Sequence, residues 1–348
     1  MNKLTGLILV LLLSFGCKED DPTEVEDTFD KGAMLTNVAK NVIIPSYSEW
    51  ETNAKVLLEA AEVFNDKPNE TNLTSLRAAF IEAHKSWNGC SIFEFGPAAD
   101  QNTRLTINTF PTDTGQIESN ISSNDYDLKS AQNADAKGFA AIDYVLFIDD
   151  QLLLSDPARA QYVLENAQQI FDRASEISSA WATYKDEFAS NTSSSAGSSI
   201  SNLINELNYE FELVKNARVG IPLGKKTLGV TQVEKLEGFY SDESTQLAQS
   251  NIQGIKEAFT GGSGLGLDDY LDDLDAQKDG QKLSAALITL FDEIEEDLSN
   301  FNLKTSIENN PSELDPVYNK IERLVVLLKT DMPSQLGVQM TYQDNDGD

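Results

Sequence analysis

Apolar residues recur at three- and four-residue spacing along most of this chain, the period of an α-helix that buries one face. Leu35, Val38, Val42, Trp50, Ala54, Leu57, Leu58, Ala61 and Phe64 form the first such series, with Pro45 predicting a kink or break inside it. Leu73, Leu76, Phe80, His84 and Trp87 share one face of a second helix. Asp156 followed by Pro157 reads as a helix start, since a side-chain oxygen can cap free amides and proline suits the first turn. That helix is expected to run to about Phe188, before a small, polar, unpatterned stretch from Asn191 to Ser199.

The second half repeats the style. Leu203, Leu207, Phe211 and Val214 mark a helix expected to stop at Gly220 in a left-handed terminal residue, with Pro222 beyond it. Thr231 and Glu234 form a capping-box pattern that predicts a helix from there through Phe259. Leu283, Leu287, Leu290, Ile294 and Leu298 outline another helix, and Ile321, Leu324, Val325 and Leu328 the last. Only Leu336, Val338, Met340 and Tyr342 alternate as a strand would. The pattern predicts an all-α chain of two tandem helical-bundle domains with at most a short terminal strand: an N-terminal bundle over 31–189, a linker or long loop over 190–199 and a C-terminal bundle over 200–348.

The N-terminus departs from this pattern. Lys3, the apolar run from Leu7 to Leu13 and Ser14-Phe15-Gly16 ahead of Cys17 predict a lipoprotein signal peptide over 1–16, with Cys17 as the lipid anchor. The run is too short to span a bilayer, so the expected membrane partner is reached through the lipid alone. Residues 17–30 are acidic, hold Pro22 and suit an extended tether. Lys18-Glu19-Asp20-Asp21 resembles the export signal of outer membrane lipoproteins displayed on the cell surface of Bacteroidetes-type bacteria, which sets the expected location. With Cys17 lipidated, Cys90 is left without an intramolecular disulfide partner.

The formal charge is −31, so phosphate backbones are repelled and nucleic acid is excluded as a partner, while cations are concentrated near the surface. Catalytic signatures are missing. His84 is the sole histidine, in a context that is not HExxH, and is expected to be buried or between domains and hydrogen-bonded to a neighbour. No Gly-x-Ser-x-Gly elbow occurs. Gly261 to Gly266 lacks the Lys-Ser/Thr of a phosphate loop and reads as a flexible connector, and Asp268, Asp269, Asp272, Asp273 and Asp275 read as a solvated face. Asp344, Asp346 and Asp348 alternate like the opening of a calcium loop without its bidentate Glu, which makes calcium the minor alternative to no cofactor at all. Arg218, near a helix end, reads as a dipole partner.

Several stretches in order resemble the imelysin family: Met34-Leu35-Thr36-Asn37 through Ile44-Pro45, Trp87 with Phe95-Gly96-Pro97, Ile107-Asn108 with Pro111, Gly220-Ile221-Pro222-Leu223-Gly224, Leu267-Asp268-Asp269-Tyr270-Leu271, and Asp344 to Asp348. The family comprises bacterial envelope proteins named for an insulin-cleaving metallopeptidase and related to iron-uptake components. The resemblance implies two helical bundles with a cleft between them and a role in iron acquisition. The family's G-x-H-x-x-E signature aligns with Gly138, Ala140 and Asp143, so the histidine is replaced by a side chain with no lone pair and the Glu by a shorter carboxylate. A further family Glu aligns with Ser91. The resemblance therefore implies a family-motif pocket around Gly138, Ala140, Asp143, Ser91 and Phe95 that has lost its transition metal site: no metal ligand and no catalytic residue is assigned.

The expected function is that of a surface-exposed, non-catalytic, imelysin-like lipoprotein that takes a ligand in the interdomain cleft. The expected partner is a small ligand, a cation or an envelope protein. The alternative is a structural or adhesive scaffold that engages a partner protein, and a metallopeptidase is the least supported reading.

Overall fold

The computed structural model describes residues 28–341, so the predicted signal peptide, Cys17, most of the tether, Tyr342 and the terminal aspartates lie outside the described residues. Helix dominates. α1 (Lys31–Asn37) passes through a widened π turn (Val38–Ile43) into α2 (Ile44–Asp66), and α3 (Glu70–Cys90) returns alongside it, its first turn capped by the Asn69 side chain. After short helical turns come α4 (Gly138–Phe147) and the long α5 (Pro157–Ser190), which Asp156 caps as the sequence predicts. The second half holds α6 (Ser199–Leu213), a π turn (Val214–Gly220), α7 (Ser244–Thr260), α8 (Leu283–Ser299) and α9 (Asp315–Val326).

In the first half, α2 packs on α3 and α5, and α5 also takes α1 and α4. Trp50, Trp87 and Trp181 are fully buried there, with the first two rings 4.9 Å apart and Phe95 and Phe188 against the third. Each such aromatic side chain removed from water contributes about 2–3 kcal/mol. In the second half α8 packs on α7 and α9, around Phe211, Phe259 and Phe291. The halves meet where α7 crosses α3. A β-carbon at Gly254 would lie 2.1 Å from the carbonyl oxygen of Gly89, so the helices touch backbone to backbone at this point.

Four local expectations are corrected. Pro45 does not end the helix: the π turn before it lets the amide of Ile44 bond to the carbonyl of Ala39, five residues back. Gly220 is not left-handed; its missing side chain instead gives room to the Lys215 carbonyl, 2.4 Å from where a β-carbon would sit, and the left-handed residue is Gly224. Thr231 and Glu234 open no long helix. Thr231 precedes and Glu234 lies within a single tight turn, Val233–Lys235, because Gly238 and Asp242 take positive φ values of 66° and 62° and delay the helix to Ser244. No strand forms over 338–341, where Asn205 holds the backbone of Gln339 and Thr341 through its side chain, and the strands among the described residues are a two-residue hairpin, Gln277–Lys278 with Gln281–Lys282.

The glycine-rich segment is a fixed turn. Asn37 donates to the carbonyls of Gly261 and Leu265, both at 2.8 Å, and a β-carbon on Gly264 would collide with it. Gly254→Ala is expected to lose about 2 kcal/mol of stability by forcing α3 and α7 apart, checked by denaturant unfolding. Unchanged stability would mean that the crossing can widen freely.

Candidate functional site

Where the halves meet, the interior turns polar. His84 and Asn88 of α3, Ser91 just beyond it and Asn108 come from the first half; Glu210 of α6, Arg218 in the following π turn, Glu237 and Asn251 of α7 come from the second. All of these are buried. Helical spacing explains the convergence: His84 and Asn88 are one turn apart, and Glu210 lies on the stripe of Leu203, Leu207 and Val214.

Glu237 is the first hub. One carboxylate oxygen accepts from Asn108 at 2.7 Å and from Asn88 at 3.0 Å and contacts His84 Nε2 at 3.0 Å, while the other sits 2.8 Å from Arg218 Nε. Burial would push this carboxyl up, but the Arg218 charge and the bonds from His84 and Asn108 overcome it and hold it well below the usual range. Glu210 is the second hub. It accepts from Asn251 at 2.7 Å and from Ser91 Oγ at 2.9 Å, with Arg104 at 2.9 Å and Arg218 at 3.1 Å. Burial again opposes ionisation, and Arg104 and Arg218 again win. Arg218 also donates to Asn88 Oδ1 at 3.0 Å, so one guanidinium ties both carboxylates to α3. At the edge, Glu206 faces Arg104 at 3.3 Å, and burial together with the nearby charge of Glu210 pushes its carboxyl up to about 7 against the pull of Arg104.

Arg218 is therefore no dipole partner at a helix end but the central cation of the interface. His84 is buried and bonded to Glu237, as its position on an apolar face predicts, with its ring stacked on Phe139 at 4.6 Å.

The motif segment lies beside this network. Gly138 has φ +72°, its amide donates to Asn166 Oδ1 at 2.8 Å, and a β-carbon there would come within 2.1 Å of the Ile107 carbonyl. Ala140 and Asp143 border a cavity of about 40 Å³ closed by Phe110 and Tyr240. Asp143 is buried, and its two oxygens accept the backbone amides of Tyr240 and Ser241, each at 3.0 Å. Burial raises its pKa against these bonds and the nearby His84. Ser91 lies in the polar network instead, and Phe95 lies elsewhere, among Phe93, Trp181 and Phe188. The structure thus brings Gly138, Ala140 and Asp143 together and disperses Ser91 and Phe95.

These residues do not fit a transition metal. Ala140 has no donor atom, Asp143 already accepts two amides and has no second carboxylate or imidazole beside it in the motif, and Ser91 donates to a carboxylate; among the described residues no three His, Cys, Asp or Glu side chains are grouped to share an ion. Sequence reading missed Glu210, Glu237, Asn88, Asn108, Asn251 and Arg104. The available signal was polar residues on apolar stripes, such as Asn251 between Ala248 and Ile255. Their partners are distant in sequence, so the pairing was not legible.

The family model for imelysin matches residues 43–323. A curated relative, iron-regulated protein A of Synechococcus elongatus, is 26% identical over 161 residues, 44% of this chain and 43% of that protein, so the match spans less than half of the relative's length. Two crystal structures share the fold. One is an imelysin-like protein from Psychrobacter arcticum 273-4, with TM-score 0.74 and 18% identity, covering 90% of this chain and 97% of that one. The other, described as a candidate iron-regulated protein A precursor from Parabacteroides distasonis ATCC 8503, has TM-score 0.74 and 15% identity, covering 92% and 97%.

Arg218→Met is expected to cost about 3–5 kcal/mol by leaving Glu210 and Glu237 buried with too little positive charge, checked by urea unfolding at neutral pH. A raised folded-state pKa means that the contribution of Glu206 is fully present below its unfolded pKa and lost as pH rises through the folded value. Glu206→Gln should therefore flatten the fall in thermal stability between about pH 5 and pH 8. An unchanged profile would show that Glu206 titrates normally.

Proposed function

The chain belongs to the imelysin family, and on that premise we propose that it is a non-catalytic lipoprotein of the bacterial outer membrane, exposed on the cell surface, that binds a ligand between its two halves and serves iron acquisition. The link to iron rests on the names of its relatives. The observation that carries the non-catalytic reading is the state of Asp143: both of its oxygens hold the loop at Tyr240 and Ser241, beside an alanine where a metal ligand would be needed. Water activation by a metal has no donor set at this position.

The cavity at Ala140, about 40 Å³, holds water or a single small group and is far below the size of a small-molecule site. The ligand is better accommodated in a groove of about 230 Å³ over the α3–α7 crossing, bordered by Gly89 and Gly254. Glu49, Glu82 and Glu257 border it with Lys85, and Lys85 is paired with Glu82 at 3.1 Å. Such walls favour a cation or a basic ligand over an anion. Membrane attachment through Cys17 and the two-domain division near 190–199 belong to the same reading. No helix among the described residues is long and apolar enough to cross a membrane.

Calorimetric titration of the metal-free protein with ferrous, ferric, zinc and calcium ions tests the reading. Iron and zinc are expected to bind more weakly than about 0.1 mM, and chelator-sensitive cleavage of a protein substrate is expected to be absent. Stoichiometric micromolar binding of iron or zinc would refute the loss of the metal site. Replacing Ala140→His and Asp143→Glu together should increase zinc affinity if the motif alignment is right.

A further inference from the structure

A second concavity lies in the first half, apart from the interface groove. It encloses about 380 Å³ and is floored by Ile107, whose carbonyl also touches the motif glycine Gly138. That volume is within the range of small-molecule sites. Its rim has a composition unusual for this chain, which holds 57 acidic residues against 26 basic ones. Lys129, Lys137 and Arg173 all border it.

Elsewhere a basic residue commonly has a carboxylate to answer it, as Lys256 has Asp292 and Glu295 and Lys320 has Glu293 and Asp297. Lys129 and Lys137 differ: among the described residues no carboxylate lies within ion-pair distance of either ammonium. Lys137 is half-buried and its ammonium donates only to the Leu128 carbonyl, at 3.2 Å. Arg173 uses one nitrogen on Gln101 and on Glu176, the latter at 2.9 Å, which leaves the rest of its guanidinium edge for another acceptor. Of the acidic residues on the wall, Glu176 is paired with Arg173, while Asp172 accepts from the neutral Gln168 at 2.8 Å and keeps its charge. Burial is the main cause that lowers the pKa of Lys137; the charge of Arg173 adds to it and the charge of Asp127 opposes it.

We propose that this cavity binds a small molecule through an oxyanion, a carboxylate or a phosphate group, seated between the ammonium groups of Lys129 and Lys137 and the free edge of the Arg173 guanidinium. Two ammonium groups and a guanidinium supply charge-assisted hydrogen bonds to an oxyanion, and the wall formed by Ile107 and Leu128 receives an apolar remainder. The site sits directly before α4, because Lys137 precedes Gly138. The inference is independent of the ligand groove between the halves, and its test does not use that groove.

The test is calorimetric titration of the purified protein with inorganic phosphate and, separately, with succinate. Saturable one-to-one binding of either is expected, weakened at least about tenfold in Lys129→Gln/Lys137→Gln and unaffected by Lys40→Gln, an exposed lysine outside the cavity. Phosphate binding alone would assign a phosphate-bearing ligand, and succinate binding alone a carboxylate. Lys129→Gln by itself, at an exposed position, keeps the test valid if the double variant fails to fold. Absence of saturable binding of both anions, or binding unchanged by the lysine replacements, would overturn the proposal.

Discussion

A guanidinium taken out of water has to be met by charge and by hydrogen-bond acceptors in fixed directions, and in this protein that requirement falls on Arg218. It is 4% exposed, and it reaches Glu210, Glu237 and Asn88 at 2.8–3.1 Å. Two of those partners belong to the second half and the third to α3 in the first. Apolar packing alone tolerates sliding of one half on the other. The network does not, because a shift of one helical turn would strand Glu210 or Glu237 without its cation, a loss of several kcal/mol. The close contact of Gly89 with Gly254 is the steric side of the same constraint: two helix backbones approach closely enough for the polar side chains around them to meet.

The cation is delivered by a local device that recurs. Among the described residues the π turns Val38–Ile43, Val214–Gly220 and Leu327–Asp331 are each followed, two residues after their last member, by a proline: Pro45, Pro222 and Pro333. In each case the residue before the proline, Ile44, Ile221 or Met332, bonds to a carbonyl five residues back. Proline lacks an amide and its ring crowds the carbonyl four residues earlier, so widening the preceding turn removes the clash while the chain stays helical. Widening also rotates the side chains beyond it. Lys215 and Arg218, three residues apart, both lie on the buried side of this π turn.

This device marks the limit of what was legible in the sequence. The all-α class and the helix from Pro157 followed from periodicity and capping, because these are local properties of the chain. The mistaken expectations at Pro45, Gly220 and Thr231 share a cause. Each treated a breaker or cap residue as deciding its own surroundings, whereas a π turn accommodates Pro45, and tertiary contacts act at the other two: a Tyr318 ring against Gly220, and Asp143 reaching across to the amides of Tyr240 and Ser241. The candidate site was legible in part. The segment of Gly138, Ala140 and Asp143 could be singled out from the sequence, while the Glu210 and Glu237 hubs also depend on partners more than a hundred residues away.

The motif that the resemblance implies separates into a backbone part and a chemical part. Gly138 is required by its positive φ and by the Ile107 carbonyl lying where a side chain would be, a demand that holds whatever occupies positions 140 and 143. Ala140 and Asp143 face no such demand. With no ligand to share, a carboxylate buried at 143 has to find hydrogen bonds or stay protonated, and the amides of Tyr240 and Ser241 supply them. Those bonds fix the loop that carries Glu237, and Glu237 anchors Arg218. Asp143 therefore acts as a strut, tying α4 to the loop that completes the charged interface.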